Sequence, residues 1–488
     1  MIYPWCQAGC RRYVHIRVAQ AMLDKLKRLY ENSPAFIKRL YARVPYRLRL
    51  GKAYRKTRRL LGESDGWSRA ELEAYQDEKV GRLVEHAYKT VPFYRSRMEK
   101  CSLRPGDIRD RESLRNLPLL TKEEIKQHSE ELLSENASGM DTHFATTGGT
   151  TGEPLGLYFS NNCYGTEWAF MHDQWSRVGF TPGDRNATLR GRHFEVEEGK
   201  VYVDNPIYHE RCLSIYHLKQ SYVSDYVRAL QTFHPQFIHG YPSAIHRFAL
   251  LLQRSEETAP SLKAALCGSE QIYPHQREVI EDVFGCRVFS WYGQTEKVIL
   301  AGECECSTNY HAYPQYGVTE IVREDGSPCE PGEVGELVGT GFMNTAMPLI
   351  RYKTGDPAAG ANRKCSCGRA YPVIKKVVGR EQDHVVTSSG RLIPLTGMLF
   401  GAHLSEYQKL QKIQIEQWEP GEAMVRVVPA KGVQLSELQG IVEAYEDICD
   451  GDCKFTLEEV SDIPTTEEGK HQYLIQHVNL GAIKESHE

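Results

Sequence analysis

Between residues 160 and 300, helical periodicity alternates with short strand-like runs such as Gln236-Phe237-Ile238 and Arg287-Val288-Phe289. This alternation constrains the fold most strongly. Strands separated by helices return as parallel neighbours, and the helices must then cover the sheet. The pattern predicts an α/β architecture. Residues 66–130 read as helical, with Ser68 placed to cap a helix three residues before Glu71 and with Pro92 interrupting the run. Residues 301–378 are richer in strand and turn signals, Gly335–Thr340 among them. After Gly379 the character changes again. Ile413/Ile415 and Val425/Val427 alternate as strands do, Leu435, Leu438, Val442 and Tyr445 mark a helix, and Phe455/Leu457 mark a further strand. The expected division is a basic helical extension over 1–62, a large domain over 63–378 and a small α+β domain over 379–488.

Charge is distributed unevenly. Residues 1–60 carry 16 Lys/Arg against 2 Asp/Glu, while the remaining chain carries 44 against 62, so the net charge of -4 conceals a +14 head on a -18 body. An acidic body argues against nucleic-acid binding along the protein. In the head, Val18, Met22, Leu26 and Leu29 recur at helical spacing between basic residues. Two readings stay open there: a helix lying on a membrane surface, or one packed on the main domain with a solvated basic face. No uncharged apolar run reaches the ~18 residues of a spanning helix. Arg11, Arg12, His15 and Arg17 interrupt what a signal peptide would keep apolar. A cytoplasmic protein is expected, membrane-associated under the first reading. Its 14 cysteines are too dilute for a disulfide scaffold and are expected as thiols or metal ligands.

The densest chemical motif is Thr146-Thr147-Gly148-Gly149-Thr150-Thr151-Gly152-Glu153-Pro154. Glycines let the backbone curl around an anion and aim successive N–H groups at it, and threonine hydroxyls add donors. The Gly-Lys-Ser/Thr ending of a Walker loop is missing. Downstream come Tyr292-Gly293-Gln294-Thr295-Glu296, Arg351-Tyr352-Lys353-Thr354-Gly355-Asp356, Gly379-Arg380-Glu381-Gln382-Asp383 and Pro464-Thr465-Thr466-Glu467-Glu468-Gly469-Lys470. In this order and spacing they resemble the adenylate-forming superfamily of acyl-CoA synthetases, adenylation domains and luciferases. The segments LVEHAYKTVPFYR, LPLLTKEEI (117–125), HGYPSAI (239–245), NTAMPLIRYKTGD (344–356) and CGR (367–369) are similar to the phenylacetate–CoA ligase branch, including its CapK-like capsular polysaccharide members. The resemblance covers roughly residues 65 to 475.

The resemblance implies a large N-terminal adenylate-forming domain of mixed sheets and helices with a small mobile α+β C-terminal domain. It implies ATP, Mg²⁺, a small carboxylic acid and CoA as reactants and cofactors. An acid carboxylate must meet the α-phosphate of ATP, so donors and cations are needed to steady the developing charge. By resemblance, Thr147, Gly148, Gly149, Thr150, Thr151 and Gly152 hold the β- and γ-phosphates. Thr295 donates to the α-phosphate, and Glu296 binds Mg²⁺. Tyr292, with Gly293 beside it, stacks on adenine, and Gly268, Ser269 and Glu270 lie along the base. Asp356 accepts from the ribose hydroxyls, and Arg380 sits near ribose and phosphate. Lys470 bridges the acid and the α-phosphate. Three positions depart from the family pattern. Glu153 replaces a frequent loop lysine, Gly148 a small hydroxyl residue, and Gln382 the first acid of the hinge pair, leaving Asp383.

Cys304, Cys306, Cys365 and Cys367, with His311, offer four of five ligands for a tetrahedral structural Zn²⁺, with Gly368 expected to relieve crowding. Cys449 and Cys453 are read as structural. His239, Tyr241 and Ser243 fall where the branch places part of the acyl pocket, with His239 equally readable as core. Arg190-Gly191-Arg192-His193 is a local basic cluster with two readings, a contact for an anionic substrate or a solvated loop, the second favoured. The expected function is AMP-forming acid–CoA ligation. Transfer of the acyl or aminoacyl group to an amine or hydroxyl of a surface-sugar precursor is the alternative, and a silent nucleotide-binding scaffold is a lesser one.

Overall fold

The structure, a computed structural model, describes residues 43–44, 46–137, 140–146, 155–190, 200–215, 217–361, 365–377, 384–390, 392–395, 398, 406, 409–449, 451–464 and 472–478. The candidate phosphate loop (147–154), Arg380 and Lys470 lie outside them, as do the hinge residues Gln382 and Asp383 and the periodic stretch from Val18 to Leu29.

Helix α1 (Gly51–Ser64) runs across the expected division at residue 62 and is followed by α2 (Arg69–Thr90) and α3 (Pro92–Lys100). Ser68 caps α2 as expected. Its side chain accepts from the Glu71 N–H while Glu71 reaches back to the Ser68 N–H at 2.7 Å. Pro92 ends one helix and opens the next, because it has no N–H to give to a preceding turn and suits a first helical position. A hairpin of β1 (Thr142–Thr146) and β2 (Gly156–Ser160) leads into α4 (Asn162–Ser176).

The central sheet then forms. In chain order come β3 (Asn186–Leu189), β4 (Tyr202–Asn205), β5 (Glu210–Leu213), α5 (Val223–Phe233), β6 (Phe237–Gly240), α6 (Pro242–Gln253), β7 (Ala264–Cys267), α7 (Pro274–Phe284) and β8 (Arg287–Gly293). The meander continues through β9 (Leu300–Gly302), β10 (Tyr310–Ala312), β11 (Gly317–Val322), β12 (Val334–Gly341), β13 (Tyr352–Gly360) and β14 (Val373–Val377). These twelve strands make one sheet in the order β11-β12-β13-β14-β10-β9-β8-β7-β6-β3-β5-β4. Strands β5, β3, β6, β7 and β8 are mutually parallel and the rest pair antiparallel. The predicted α/β alternation thus becomes a parallel block with an antiparallel extension.

The parallel block is buried on both faces, as its near-continuous apolar strands require. Ile238, Ala265, Cys267 and Val288 pack against α5, α6 and α7. Phe237, Ala264, Leu266 and Phe289 pack against Trp175 of α4. Helix α1 seats on α4 through a Tyr54 hydroxyl–His172 Nδ1 hydrogen bond of 3.0 Å and an Arg58–Asp173 ion pair of 3.0 Å. For residues 51–64, the basic segment is therefore packed on the main body, with Tyr54 and Leu61 buried. Arg351 is also structural. Its guanidinium forks onto Glu320 at 3.1 Å and donates to the carbonyls of Arg115 and Leu117.

A separate apolar core lies beyond residue 384. It is built on β15 (His384–Val386), β16 (Leu392–Pro394), β17 (Leu410–Glu419), β18 (Glu422–Pro429), α8 (Gln439–Ile448), β19 (Lys454–Glu459) and β20 (Leu474–Gln476). Four of these strands form a sheet in the order β19-β18-β17-β20. Gln276 of α7 donates to the Tyr473 hydroxyl at 2.8 Å across the seam between the two cores. No described helix is long and apolar enough to cross a membrane.

His172 generates a pH prediction. Burial, with Arg58 assisting, drives its pKa down to about 3. A histidine depressed in the fold contributes its full stability above the unfolded value near ~6.5 and loses it as pH falls towards the folded value. Stability should fall by up to ~1.4 kcal/mol per pH unit below ~6 on account of this group. Urea melts at pH 7 and 5 should show a smaller acid loss for His172→Phe than for the unaltered protein. An equal loss in both would remove His172 as the cause.

Candidate active site

In an open parallel sheet, the carboxyl ends of the strands form a crevice where the connections diverge to opposite sides. Here the chain leaves β3 towards β4 and β5 and returns to β6 on the other side, so the crevice opens beside Arg190 and Tyr241. Close strand approach enforces glycine at its floor, since a Cβ on Gly240 would lie 2.3 Å from the Leu189 carbonyl oxygen. Arg190 follows β3 directly. It hydrogen-bonds the Ser269 hydroxyl and stacks over the Tyr241 ring at 5.4 Å. At Arg190 the solvated-loop reading gives way, because the guanidinium joins the ends of β3, β6 and β7, while Gly191, Arg192 and His193 lie outside the described residues.

Gly268, Ser269 and Glu270 continue from β7. A Cβ on Gly268 would fall 2.3 Å from the Trp291 ring, so the backbone and the indole lie in direct contact. Ser269 takes a left-handed backbone, φ 70°, and Glu270 accepts from the Ser243 N–H in the first turn of α6 at 3.2 Å, where a carboxylate suits the helix dipole.

His239 projects from β6 to the face that holds Trp175 and Trp291, with ring centroids 5.1 and 5.8 Å away. Burial, and then the charge of Arg190, hold it well below the ordinary histidine range, so the ring is neutral. Its Nε2 is buried and meets no hydrogen-bond partner among the described residues. That open atom suits the reading of His239 as a pocket contact.

Tyr292 ends β8. Its ring is part-buried and its hydroxyl donates to Asp356 on β13 at 2.7 Å. Burial of the hydroxyl and the adjacent Asp356 carboxylate push the phenol well above its usual range, so it keeps its proton. Gly355 at φ 73° turns the chain so that Asp356 reaches inward, and the Gly355 N–H is held by Glu336 at 3.0 Å. Gly293 leaves little room, with a hypothetical Cβ 3.1 Å from Leu300. Thr295 is exposed and Glu296 part-buried in the turn after β8. Glu296 accepts from the Tyr352 hydroxyl at 3.1 Å, and the adjacent Lys297 pairs with Glu167 at 3.5 Å.

The structure therefore gathers Gly268–Glu270, Tyr292–Glu296 and Asp356 at one end of the sheet. The β1–β2 hairpin flanks the candidate phosphate loop, with Thr146 paired to Gly156. Tyr352 and Trp291 are the site residues that the sequence reading missed. For Tyr352 and Trp291 no periodicity points to the partner.

The cysteine motif also resolves. Cys304, His311, Cys365 and Cys367 converge, whereas Cys306 is exposed and outside the cluster. Gly368 is required for its backbone, φ 82°, and a Cβ there would meet nothing within 4 Å, so relief of crowding is not its role.

Comparisons with known proteins bear on the family and the fold. Residues 108–347 match the family described as AMP-binding enzyme. A phenylacetate-coenzyme A ligase of Thermus thermophilus is 26% identical over 67% of this chain and 74% of its own. Protein CapK of Staphylococcus aureus is 22% identical over 93% of this chain and 100% of its own. In fold, a 2-hydroxyisobutyryl-CoA ligase in the postadenylation state aligns with TM-score 0.68 and 17% identity, over 87% of this chain and 93% of that one. The chain is an AMP-forming ligase whose residues 108–347 match the AMP-binding enzyme family, and it is similar to the phenylacetate–CoA ligases and CapK.

The Gly268–Trp291 contact yields a prediction. Gly268→Ala inserts a methyl group where the indole stands, and overpacking of this kind costs about 1–3 kcal/mol. Denaturant melts should show that loss with a shifted Trp291 fluorescence. Unchanged stability and emission would mean that the strand end and the indole are not in contact.

Proposed function

We propose that this ligase activates a small carboxylic acid as its acyl-adenylate and passes the acyl group to CoA. The observation that carries the reading is the Tyr292–Asp356 hydrogen bond at the carboxyl end of the parallel strands, with Glu296 held beside it by Tyr352. A carboxylate there is pre-aimed for ribose hydroxyls, beside an aromatic face for adenine. The neutral His239 between two indoles, its Nε2 without a partner among the described residues, supports an acid pocket in the β3–β6 crevice.

In the first step a carboxylate oxygen of the acid bonds to the α-phosphorus, and the bond to the bridging oxygen breaks, releasing pyrophosphate. In the second, the CoA sulfur attacks the acyl carbon, AMP leaves, and the thiol proton passes to solvent. Thr147–Gly152 would cradle the β- and γ-phosphates through backbone N–H groups, which must do more in the absence of a loop lysine. Thr295 would donate to the α-phosphate, Arg380 would lie near ribose and phosphate, and Lys470 would neutralise both reacting anions. Glu296 is a half-buried carboxylate, a donor that suits Mg²⁺, which would neutralise phosphate charge with water and phosphate oxygens completing its shell. Movement of the small domain about Gly379–Asp383 would withdraw Lys470 before transfer. Zinc enters this reading as a structural ion rather than a reactant. The basic residues 1–60 suit an enzyme working beside an anionic membrane.

An amine or hydroxyl of a surface-polysaccharide precursor is the alternative acceptor, proposed on the motif resemblance to CapK-like members; Protein CapK itself aligns over 93% of this chain.

Acid-dependent ATP–pyrophosphate exchange tests the reading. A panel of aryl, alkyl and amino acids should give exchange with at least one, and added CoA should then consume the adenylate. Lys470→Ala should lower exchange by ~10²-fold or more while sparing transfer from supplied acyl-AMP. No exchange with any acid, with ATP binding retained, would leave the scaffold reading. Equal loss of both half-reactions would contradict the role of Lys470.

A further inference from the structure

Three thiols and one imidazole meet where two turns of the chain face each other. Cys304 follows β9, His311 lies in β10, and Cys365 and Cys367 lie between β13 and β14. Their ligand atoms all fall within 4.8 Å of one another. The Cys304 and Cys365 sulfurs are 3.5 Å apart, and the Cys367 sulfur is 3.4 Å from His311 Nε2. Metal–sulfur bonds of about 2.3 Å in a tetrahedron set sulfur atoms about 3.8 Å apart, so the cluster already has the dimensions of a zinc sphere. A disulfide needs about 2.05 Å and would leave the third thiol and the imidazole without a role.

The surroundings prepare the site for anionic sulfur. The Cys306 N–H donates to the Cys304 sulfur at 3.4 Å. Gly368 closes the second turn with its N–H on the Cys365 carbonyl at 3.3 Å. Arginines fasten the frame. Arg287 donates to the carbonyls of Cys304, Glu305 and Ser307, and Arg369 forks onto Glu305 at 2.6 and 2.8 Å. Arg177 lies beside His311. It is 8% exposed and donates one nitrogen to the carbonyls of Gly302 and Glu303, while its Nε and Nη2 meet no hydrogen-bond partner among the described residues. Its charge is compensated in part by the Tyr313 ring at 4.9 Å and by Glu305. Three thiolates, a neutral imidazole and Zn²⁺ would carry a net -1, a sign compatible with that neighbour.

We infer that Cys304, His311, Cys365 and Cys367 bind one structural zinc ion, with Cys306 outside the coordination sphere. All four ligand positions come from the protein, so the site is closed and holds no catalytic water. The ion clamps the β9–β10 turn to the β13–β14 connection. Those strands neighbour β8 and carry β13, which bear Tyr292 and Asp356, so the metal would hold the two halves of the nucleotide site in register. The assignment itself does not rest on acyl activation, and its test reads metal rather than turnover.

Elemental analysis of the purified full chain should find about one zinc per polypeptide. Exchange for Co²⁺ should give the intense visible absorption of a tetrahedral cobalt–thiolate centre. Cys306→Ser should keep the metal and the spectrum, whereas Cys365→Ser should lose at least ~90% of the metal or the fold with it. Stripping zinc from the unaltered protein with a chelator should expose three additional reactive thiols and lower the melting temperature. A metal-free protein that neither takes up Co²⁺ nor gains stability with zinc would overturn the site. So would Cys306→Ser losing metal as Cys365→Ser does, or an oxidised Cys304–Cys365 pair in the native chain.

Discussion

A hydrogen bond of 2.7 Å between Tyr292 and Asp356 sets the shape of this protein. Their strands, β8 and β13, are separated in the sheet by β9, β10 and β14. Neighbouring strands lie ~4.8 Å apart, so four spacings on a flat sheet would separate the two backbones by ~19 Å. A tyrosine and an aspartate cannot span that distance. The sheet must curl until its antiparallel half faces the mouth of its parallel block. The three-residue strands β9 and β10 and the irregular register of β13 permit the bend. Strong twist with local bulges is how long sheets fold over themselves.

Around that curl the site assembles from unlike parts. The parallel strands supply close backbone approach and an electropositive rim, through Gly240, Gly268 and Arg190. The antiparallel strands supply carboxylate and phenol, through Asp356 and Tyr352. Arg351, buried at the turn into β13, holds its end against Glu320 and two carbonyls. Removing one member of such a buried pair costs about 3–5 kcal/mol. A motif that reads as nucleotide-binding is thus anchored by a residue whose work is structural.

Much of this was legible in the chain. Local chemistry carried the elements. Ser68 and Glu71 mark a helix start because both atoms of their reciprocal bond lie within one turn, and Pro92 marks a break because proline cannot donate. The motifs gave Gly268–Glu270, Tyr292–Glu296 and Asp356 as a set through family resemblance. What stayed hidden needs coordinates in three dimensions. Arg190 meets Ser269 across 79 residues, Tyr352 meets Glu296 across 56, and Gly268 meets an indole whose contact no spacing encodes. The cysteine spacing offered five donors for four places. Only the direction of the Cys304 turn, which points Cys306 to solvent, decides among them.

The curl has a consequence for how the molecule comes apart. Because two phenol–carboxylate contacts, Tyr292–Asp356 and Tyr352–Glu296, tie the parallel block to the antiparallel strands, the sheet cannot open there strand by strand. Opening β13 strips the crevice of a wall, and emptying the crevice loosens β13. A small molecule lodged there would accordingly shield peptide bonds in strands that it never touches, and a protease would register its presence far along the sheet.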